Sequence, residues 1–177
     1  MAEQSANSQE TGQNDQGSGP SFSLQRAYVK DLSLEMPNAP QILLEQETPA
    51  VEVSLGVAGQ KLADSIYESS VTVTVTTRVN DKVLYLIEAT QAGIFEAANI
   101  PEDQLDPLIG IVCPTMLYPY LRATVADLIN RTSLPALHLT EVNFQTLYEQ
   151  RRAEAGEKDD SAAQQDSGLI VPPGAKN

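Results

Sequence analysis

Apolar and polar residues alternate along the stretch QRAYVKDLSLEMPNAP, residues 25–40, as they do in a β-strand. Because successive side chains of a strand point to opposite faces, this stretch has an acidic face and an apolar face. The acidic face consists of Asp31, Ser33 and Glu35, and the apolar face consists of Leu32, Leu34 and Met36. The pattern predicts a strand over residues 22–36, which ends at the prolines of PNAP because proline has no backbone N–H. The acidic face is either solvated or a docking surface.

Three later segments also alternate. After a predicted loop over residues 41–50, VEVSLGV (51–57) places an aliphatic residue at every second position, and VTVTVTTRV (71–79) alternates valine with threonine. Asn80 and Asp81 form a tight turn, from which KVLYLIEAT (82–90) returns as the partner strand. Four strands joined by loops and one hairpin predict an antiparallel sheet with a valine-rich and a threonine-rich face.

The second half of the chain changes to a helical period. Apolar residues recur at the spacing of one helix face, namely at Leu117, Leu121, Val125 and Leu128. Because Pro114 and Pro119 lie in this segment, the well-formed helix is predicted over residues 114–131. A second helix is predicted to begin at Asn143, which suits an N-cap, and to end at Gly156. The fold class is therefore α+β: a four-stranded antiparallel sheet with a long helix packed on it and a second, C-terminal helix.

The long helix carries more apolar residues than one face requires. Beside its stripe it holds Ile109, Val112, Met116, Tyr118, Tyr120 and Ile129. A helix that covers one face of a sheet needs a single apolar stripe. These additional apolar residues either form part of a wide but ordinary stripe or form a surface that another subunit or a ligand covers.

Charge narrows the range of partners. The chain has a net charge of −13, most of which lies within residues 22–150. A surface of this sign repels phosphate groups, which argues against nucleic acid and against anionic lipid head groups, and it favours a basic partner.

Composition predicts one folded domain between two tails. Residues 1–21 are polar and are predicted to be disordered, residues 22–150 form the domain, and residues 151–177 hold the end of the last helix and a disordered tail. The sequence has one cysteine and shows no signal peptide and no apolar run that approaches a membrane span. We therefore expect a protein of the cytosol.

Side chains typical of catalytic or metal sites are scarce. His138 is the only histidine and Cys113 the only cysteine, each without a partner nearby in the sequence. Glu102 and Asp103 stand where acids favour the start of a helix. There is no phosphate-binding loop and no zinc-ligand spacing. The sequence predicts a binding protein that is not an enzyme and needs no cofactor or metal.

Five segments, in order, resemble the SecB family of protein-export chaperones. They are QRAYVKDLSLEMPNAP, LADSIYESSVTVTV, QAGIF, CPTMLYPYLR and LPALHLTEVNFQTLY, and the resemblance covers residues 22–150. It implies a homotetramer, built as a dimer of dimers, with the long helices between the dimers. We expect the helix residues at that interface to be Leu117, Leu121, Val125 and Leu128. The implied function is to hold precursor proteins unfolded without ATP and to deliver them to the SecA motor.

The resemblance also implies a role for the acidic strand face. In the family an acidic pair on the first strand helps to dock SecA, whose short zinc-bearing C-terminal segment is basic. The matching positions here are Asp31 and Glu35. Further contact points on the last strand match Leu86 and Glu88, which are two residues apart and so share a face.

Client binding in the family uses grooves lined by apolar and aromatic side chains. The closest candidates in this chain are Val53, Leu55, Tyr85, Ile94, Phe95, Tyr118 and Tyr120. The sequence departs from many relatives around these grooves: Glu47 stands where tryptophan is common, and Ala92 replaces the first glycine of a usual pair. Thr115 and Tyr118 stand where asparagine and phenylalanine are common. These departures bear on groove depth and client preference.

Two other functions compete with general export. One is a SecB-like chaperone or scaffold for a single dedicated partner such as an antitoxin, which the match at the four SecA positions disfavours. The other is a small-molecule-binding α+β protein with a closed apolar cavity, which predicts a monomer or dimer and saturable binding of a compact ligand.

Overall fold

A single antiparallel sheet forms the first part of the protein. The computed structural model describes residues 19–165; residues 1–18 and 166–177, which belong to the predicted tails, lie outside the described residues. The strands are β1 (Ser21–Glu35), β2 (Ala50–Ala63), β3 (Ile66–Val79) and β4 (Lys82–Ala98). Their order in the sheet is β1-β4-β3-β2, so β1 and β2 are the edge strands. The predicted antiparallel sheet of four strands is confirmed.

Strands β2, β3 and β4 are longer than the alternation predicted, whereas β1 keeps the predicted length, and a second hairpin joins β2 to β3. Asn80 and Asp81 both have positive φ, 49° and 63°, which confirms the predicted turn between β3 and β4. The unpredicted turn holds Asp64 and Ser65, between the paired residues Ala63 and Ile66.

The helices follow the sheet. Helix α1 (Glu102–Pro107), a π-helical turn (Leu108–Val112) and α2 (Cys113–Asn130) succeed one another directly, and α3 (Phe144–Gln165) comes last. A short 3-10 helix (Gln41–Leu44) lies within the predicted loop.

The start of α3 was predicted correctly and its end was not. The Asn143 Oδ1 atom accepts a hydrogen bond from the Thr146 N–H at 3.2 Å, as an N-cap does. The predicted end at Gly156 is wrong, since α3 continues to Gln165. A glycine inside a helix costs only about 1 kcal/mol relative to alanine, which is too little to end a helix by itself.

Helix α2 packs against the two central strands, β3 and β4. We call the face of the sheet that carries α2 the inner face and the opposite one the outer face. Val71, Val73 and Val75 of β3 lie on the inner face and are fully buried. Gly93 of β4 allows Leu117 to approach closely, because a Cβ atom there would lie 2.8 Å from the Leu117 Cδ2 atom. The core therefore sits between α2 and the centre of the sheet.

The run Glu102–Asn130 is long and apolar enough, by length and composition alone, to cross a membrane. The core helix of a soluble protein meets the same criterion. Leu117, Leu121, Val125 and Ile129 are buried in the cluster that joins α2 to the sheet. Within this run, α2 is therefore a core helix.

Candidate functional site

Acidic and polar side chains form rows across the outer face. In an antiparallel sheet, directly paired residues lie side by side on the same face. The pairing gives the rows Asp31–Thr90–Thr72–Gly56, Ser33–Glu88–Thr74–Ser54 and Glu35–Leu86–Thr76–Glu52. The four predicted docking residues, Asp31, Glu35, Leu86 and Glu88, thus lie together on β1 and β4. The three acids are exposed and Leu86 is partly exposed, and their role in docking stays a prediction.

The same rows contain an acid that the sequence prediction left out. Glu52 of β2 is exposed and lies in the row of Glu35 and Leu86. The signal was present in VEVSLGV, where the alternation puts Glu52 on the face opposite Val51 and Val53. The acidic surface therefore reaches both edges of the sheet.

A buried carboxylate ties three strands together further along the outer face. Glu68 of β3 is 6% exposed, and it accepts hydrogen bonds from Lys30 at 2.8 Å, from the Tyr28 hydroxyl and from Gln60. Tyr28 and Lys30 belong to β1 and reach Glu68 across β4, where Tyr28 pairs with the small residue Ala92. The hydrogen bonds from Lys30 and Tyr28 hold the pKa of Glu68 below its usual value. The charge of Lys30 is thereby neutralised beside the acidic rows.

An apolar hollow opens on the inner face, near the β3–β4 hairpin. Its volume is about 270 Å³, and one wall is the segment that follows α2. The lining residues are Pro49, Val51, Thr77, Leu84, Tyr85, Leu134, Pro135, Ala136 and Leu137. Of the predicted groove residues, Tyr85 lines this hollow.

The inner face of β2 is left open beside the hollow, because α2 covers the central strands. Val51 and Val53 are 45% and 46% exposed, and Leu55 is partly buried. Leu43 and Leu44, in the connection that leads into β2, are also exposed. The exposed valines of β2 therefore lie beside the hollow, of which Val51 forms part of the lining.

Four predicted groove residues lie elsewhere. Phe95 is fully buried in the core, and Tyr118 is buried with its hydroxyl donating to the Thr140 carbonyl at 2.6 Å. Ile94 pairs with Glu68 and so lies on the outer face. Tyr120 is 51% exposed and lies away from the buried stripe of α2. The family resemblance indicated these residues as groove candidates but did not show which of them the chain itself covers.

The predicted interface residues of α2 lie mostly on its sheet side. Leu117, Leu121 and Val125 are buried against the sheet and Leu128 is partly buried, and their role at an interface between subunits stays a prediction. Val112, the last residue of the π-helical turn, and Met116 and Tyr120 of α2 are exposed at a spacing of four residues, which places them on one face of the continuous helical segment. We call these three residues the outer stripe of α2.

No group of three or more His, Cys, Asp or Glu side chains within the described residues is arranged to hold a metal ion. Burial raises the pKa of the Cys113 thiol to about 12, so the reactive thiolate is scarce at neutral pH. His138 is exposed. Cys113 is therefore assigned to the core and His138 to the surface.

A four-stranded sheet with a long helix on one face and a terminal helix is the fold of a SecB-like chaperone. A solved structure with this fold is the SecB-like chaperone of Mycobacterium tuberculosis in complex with a ChAD peptide from the HigA1 antitoxin. It superposes with a TM-score of 0.58 at 16% identity, covering 68% of this chain and 90% of that chain. At this identity the likeness shows the fold alone.

The sequence comparisons go further. The family model described as Preprotein translocase subunit SecB matches residues 15–155. Proteins named "Protein-export protein SecB" are 69% identical in Bordetella pertussis, over 99% of this chain and 98% of the relative, and 53% identical in Cupriavidus pinatubonensis, over 95% and 96%. The chain belongs to the SecB family of protein-export chaperones, a family of chaperones and not a class of enzymes.

Proposed function

We propose that the chain is an ATP-independent cytosolic holdase that keeps precursor proteins unfolded and export-competent and delivers them to SecA. Family membership supports this function, and one observation carries it: the two faces of the sheet have opposite chemistry. The inner face offers an apolar hollow with exposed valines beside it, and the outer face offers exposed carboxylates. An unfolded apolar client and a basic docking partner therefore have separate places to bind.

Client binding on the inner face relies on the hydrophobic effect. Covering one Leu or Phe side chain of a client contributes roughly 1.5–3 kcal/mol. Because the hollow is lined mainly by apolar side chains, it discriminates little between sequences. A folded protein buries the same residues in its own core, so the chain selects unfolded proteins.

Docking of SecA on the outer face relies on charge. Asp31, Glu35 and Glu88 attract a basic segment, and Leu86 adds an apolar contact between them. Exposed ion pairs contribute little individually, but several of one sign raise the association rate and set the orientation of the partner.

Assembly into a dimer of dimers would cover two further surfaces. Strand β1 is an edge strand of 15 residues, and a long edge is a template for pairing with a second chain. The outer stripe of α2, Val112, Met116 and Tyr120, is apolar and exposed. Pairing of β1 with β1 and packing of outer stripes yields a homotetramer, in which several weak client sites reinforce one another.

The test follows the refolding of urea-unfolded precursor proteins by tryptophan fluorescence. This chain contains no tryptophan, so the signal comes from the client alone. We expect the chain to suppress refolding without nucleotide, with saturation, and to leave the fluorescence of folded clients unchanged. Unrelated clients are used because a chaperone dedicated to one partner would fail with most of them. Normal refolding of every client at several-fold excess of chain would refute the holdase function.

A further inference from the structure

Another cavity opens on the inner face, at the end of β2 that lies away from the hollow. Its volume is about 410 Å³, and β2, the π-helical turn and α3 form most of its wall. Three cationic residues line it, namely Lys61, Arg151 and Arg152, and we call it the cationic pocket. Val57 and Ile109 add apolar surface to the same wall.

Contacts of α3 position the two arginines. The Arg151 Nη1 atom donates a hydrogen bond to the Val57 carbonyl at 2.6 Å, and the Arg152 guanidinium carbon lies 5.8 Å from the centroid of the Tyr148 ring. Tyr148 in turn packs against Gly110 of the π-helical turn, where a Cβ atom would come within 2.7 Å of the Tyr148 Cδ2 atom. The packing of α3 on this turn therefore brings both guanidinium groups to the edge strand β2.

The cationic pocket is positively charged, although the whole chain has a net charge of −13. Its lining holds Lys61, Arg151 and Arg152 against one carboxylate, that of Asp106, which already accepts a hydrogen bond from α3. Among the side chains that the structure describes, no carboxylate lies within 4.0 Å of either guanidinium group, and Lys61 contacts the exposed Asp64 at 3.4 Å. The hydrogen bond of Arg151 uses one of the five N–H donors of a guanidinium group. Donors therefore remain for an anionic partner.

We propose that the cationic pocket binds an acidic side chain of an unfolded client, while an apolar side chain of the same client occupies the hollow. The proposal rests on client binding at the inner face as described above. Val51 lines the hollow, and Val57 and Lys61 line the cationic pocket. An extended client that follows β2 therefore reaches both sites when about six to ten residues separate its apolar and acidic side chains. A carboxylate suits the pocket because a guanidinium group can donate two parallel hydrogen bonds to it.

The test compares two forms of one labelled, unstructured peptide. It carries a central phenylalanine and, about eight residues away on both sides, either glutamate or glutamine, so that both chain directions along β2 are sampled. Fluorescence anisotropy at low salt gives the Kd of each form. We expect the wild-type chain to bind the glutamate form roughly two- to tenfold more tightly, although the net charge of the chain repels acids. With glutamate directly beside phenylalanine the preference should vanish, and its persistence would overturn the span between the two sites.

Variants assign the preference to the cationic pocket. Arg151→Gln with Arg152→Gln should remove it, whereas Arg151→Lys with Arg152→Lys keeps both charges and should keep a preference of the same sign. Lys61→Gln, on β2, should weaken the preference without changing α3. The control of equal charge is Arg26→Gln with Arg78→Gln, two exposed arginines of the outer face, which should keep the wild-type ratio of affinities.

Urea unfolding checks that each variant is folded. Equal or weaker binding of the glutamate form by the wild type would overturn the role of the cationic pocket and leave client binding at the hollow intact. An unchanged preference in the double glutamine variant of the pocket would do the same. Binding of neither form would overturn both proposals.

Discussion

Glu35 and Glu88 project from neighbouring strands of the outer face, and both are exposed. We predict that Glu35→Lys together with Glu88→Lys weakens SecA binding roughly tenfold or more, because attraction for a basic segment becomes repulsion. Suppression of client refolding should be unchanged, since the hollow lies on the other face. Biolayer interferometry with immobilised SecA measures the first effect and client fluorescence the second.

A matched control separates docking from net charge. Asp64→Lys with Asp103→Lys changes the net charge equally at exposed positions outside the outer-face rows. This control should bind SecA like the wild type at physiological salt. Loss of both activities in the Glu35 and Glu88 variant would show that the two surfaces are not separate.

Cys113 is fully buried, and burial raises the pKa of its thiol to about 12. We predict that the native protein does not react with a thiol reagent such as DTNB at pH 8, because both access and thiolate are lacking. Reaction should begin only at urea concentrations that unfold the chain. Rapid stoichiometric reaction of the native protein would contradict the assignment of Cys113 to the core.

At the scale of elements, the Glu68 cluster links β1, β2 and β3 through Lys30, Tyr28 and Gln60. We predict that Glu68→Gln lowers the free energy of unfolding by about 1–3 kcal/mol at pH 7, since Lys30 and Tyr28 lose a charged acceptor. Urea unfolding followed by far-UV circular dichroism at fixed protein concentration measures the change.

The effect of this variant should depend on pH. Because the folded-state pKa of Glu68 is depressed, its stabilisation is present above the ordinary value of 4.5 and is lost as the pH falls through the folded value. The difference between wild type and Glu68→Gln should therefore shrink below pH 4.5. Glu102→Gln, an exposed position outside the cluster, serves as the control. A difference that stays constant with pH would contradict the role of the Glu68 carboxylate.

The outer stripe of α2 gives a prediction about assembly. We predict that Met116→Glu with Tyr120→Glu separates the proposed tetramer into dimers, because two charges per helix would be buried at the proposed interface. The fold should persist, since both side chains lie away from the core. Light scattering during size-exclusion chromatography measures the mass, and Gln104→Glu with Gln150→Glu is a control of equal charge at exposed positions. An unchanged mass would place the interface elsewhere.

Strong local patterns predicted that the strands and helices exist. They did not predict the full lengths of the strands, which depend on contacts between segments distant in sequence. The valine–threonine alternation and the Asn80–Asp81 turn identified β3 and β4 correctly. The end of β2 reads AGQKLA and carries little β signal, yet it pairs with β3, with one irregularity at Leu62. This segment also contains Gly59, which packs against Ile109. A larger residue would not fit there, because a Cβ atom at position 59 would come within 2.4 Å of the Ile109 Cγ2 atom. The need for glycine at this position thus arises from a contact between segments distant in sequence, which no local sequence pattern reveals.

For the whole molecule, the sequence predicted which faces are apolar or acidic but not which apolar residues remain uncovered. The pairing of β1 with β4 brought the predicted docking residues together on one face, as the even spacing on each strand implied. The residues of the groove and of the subunit interface were harder to predict. Leu117 and Met116, for example, are adjacent apolar residues, but Leu117 is buried and Met116 is exposed. Only the position of α2 over the central strands decides between them, and that position arises from tertiary packing.

Binding of two partners to opposite faces of one sheet is the central claim for the whole molecule. The most direct measurement mixes the chain with a fluorescently labelled, urea-unfolded precursor and SecA, without nucleotide, and separates the mixture by size-exclusion chromatography. We expect chain, precursor and SecA to elute together, since the hollow and the acidic rows do not overlap. Elution of SecA with the chain only when the precursor is absent, or displacement of the precursor by SecA, would contradict the assignment of the two partners to separate faces.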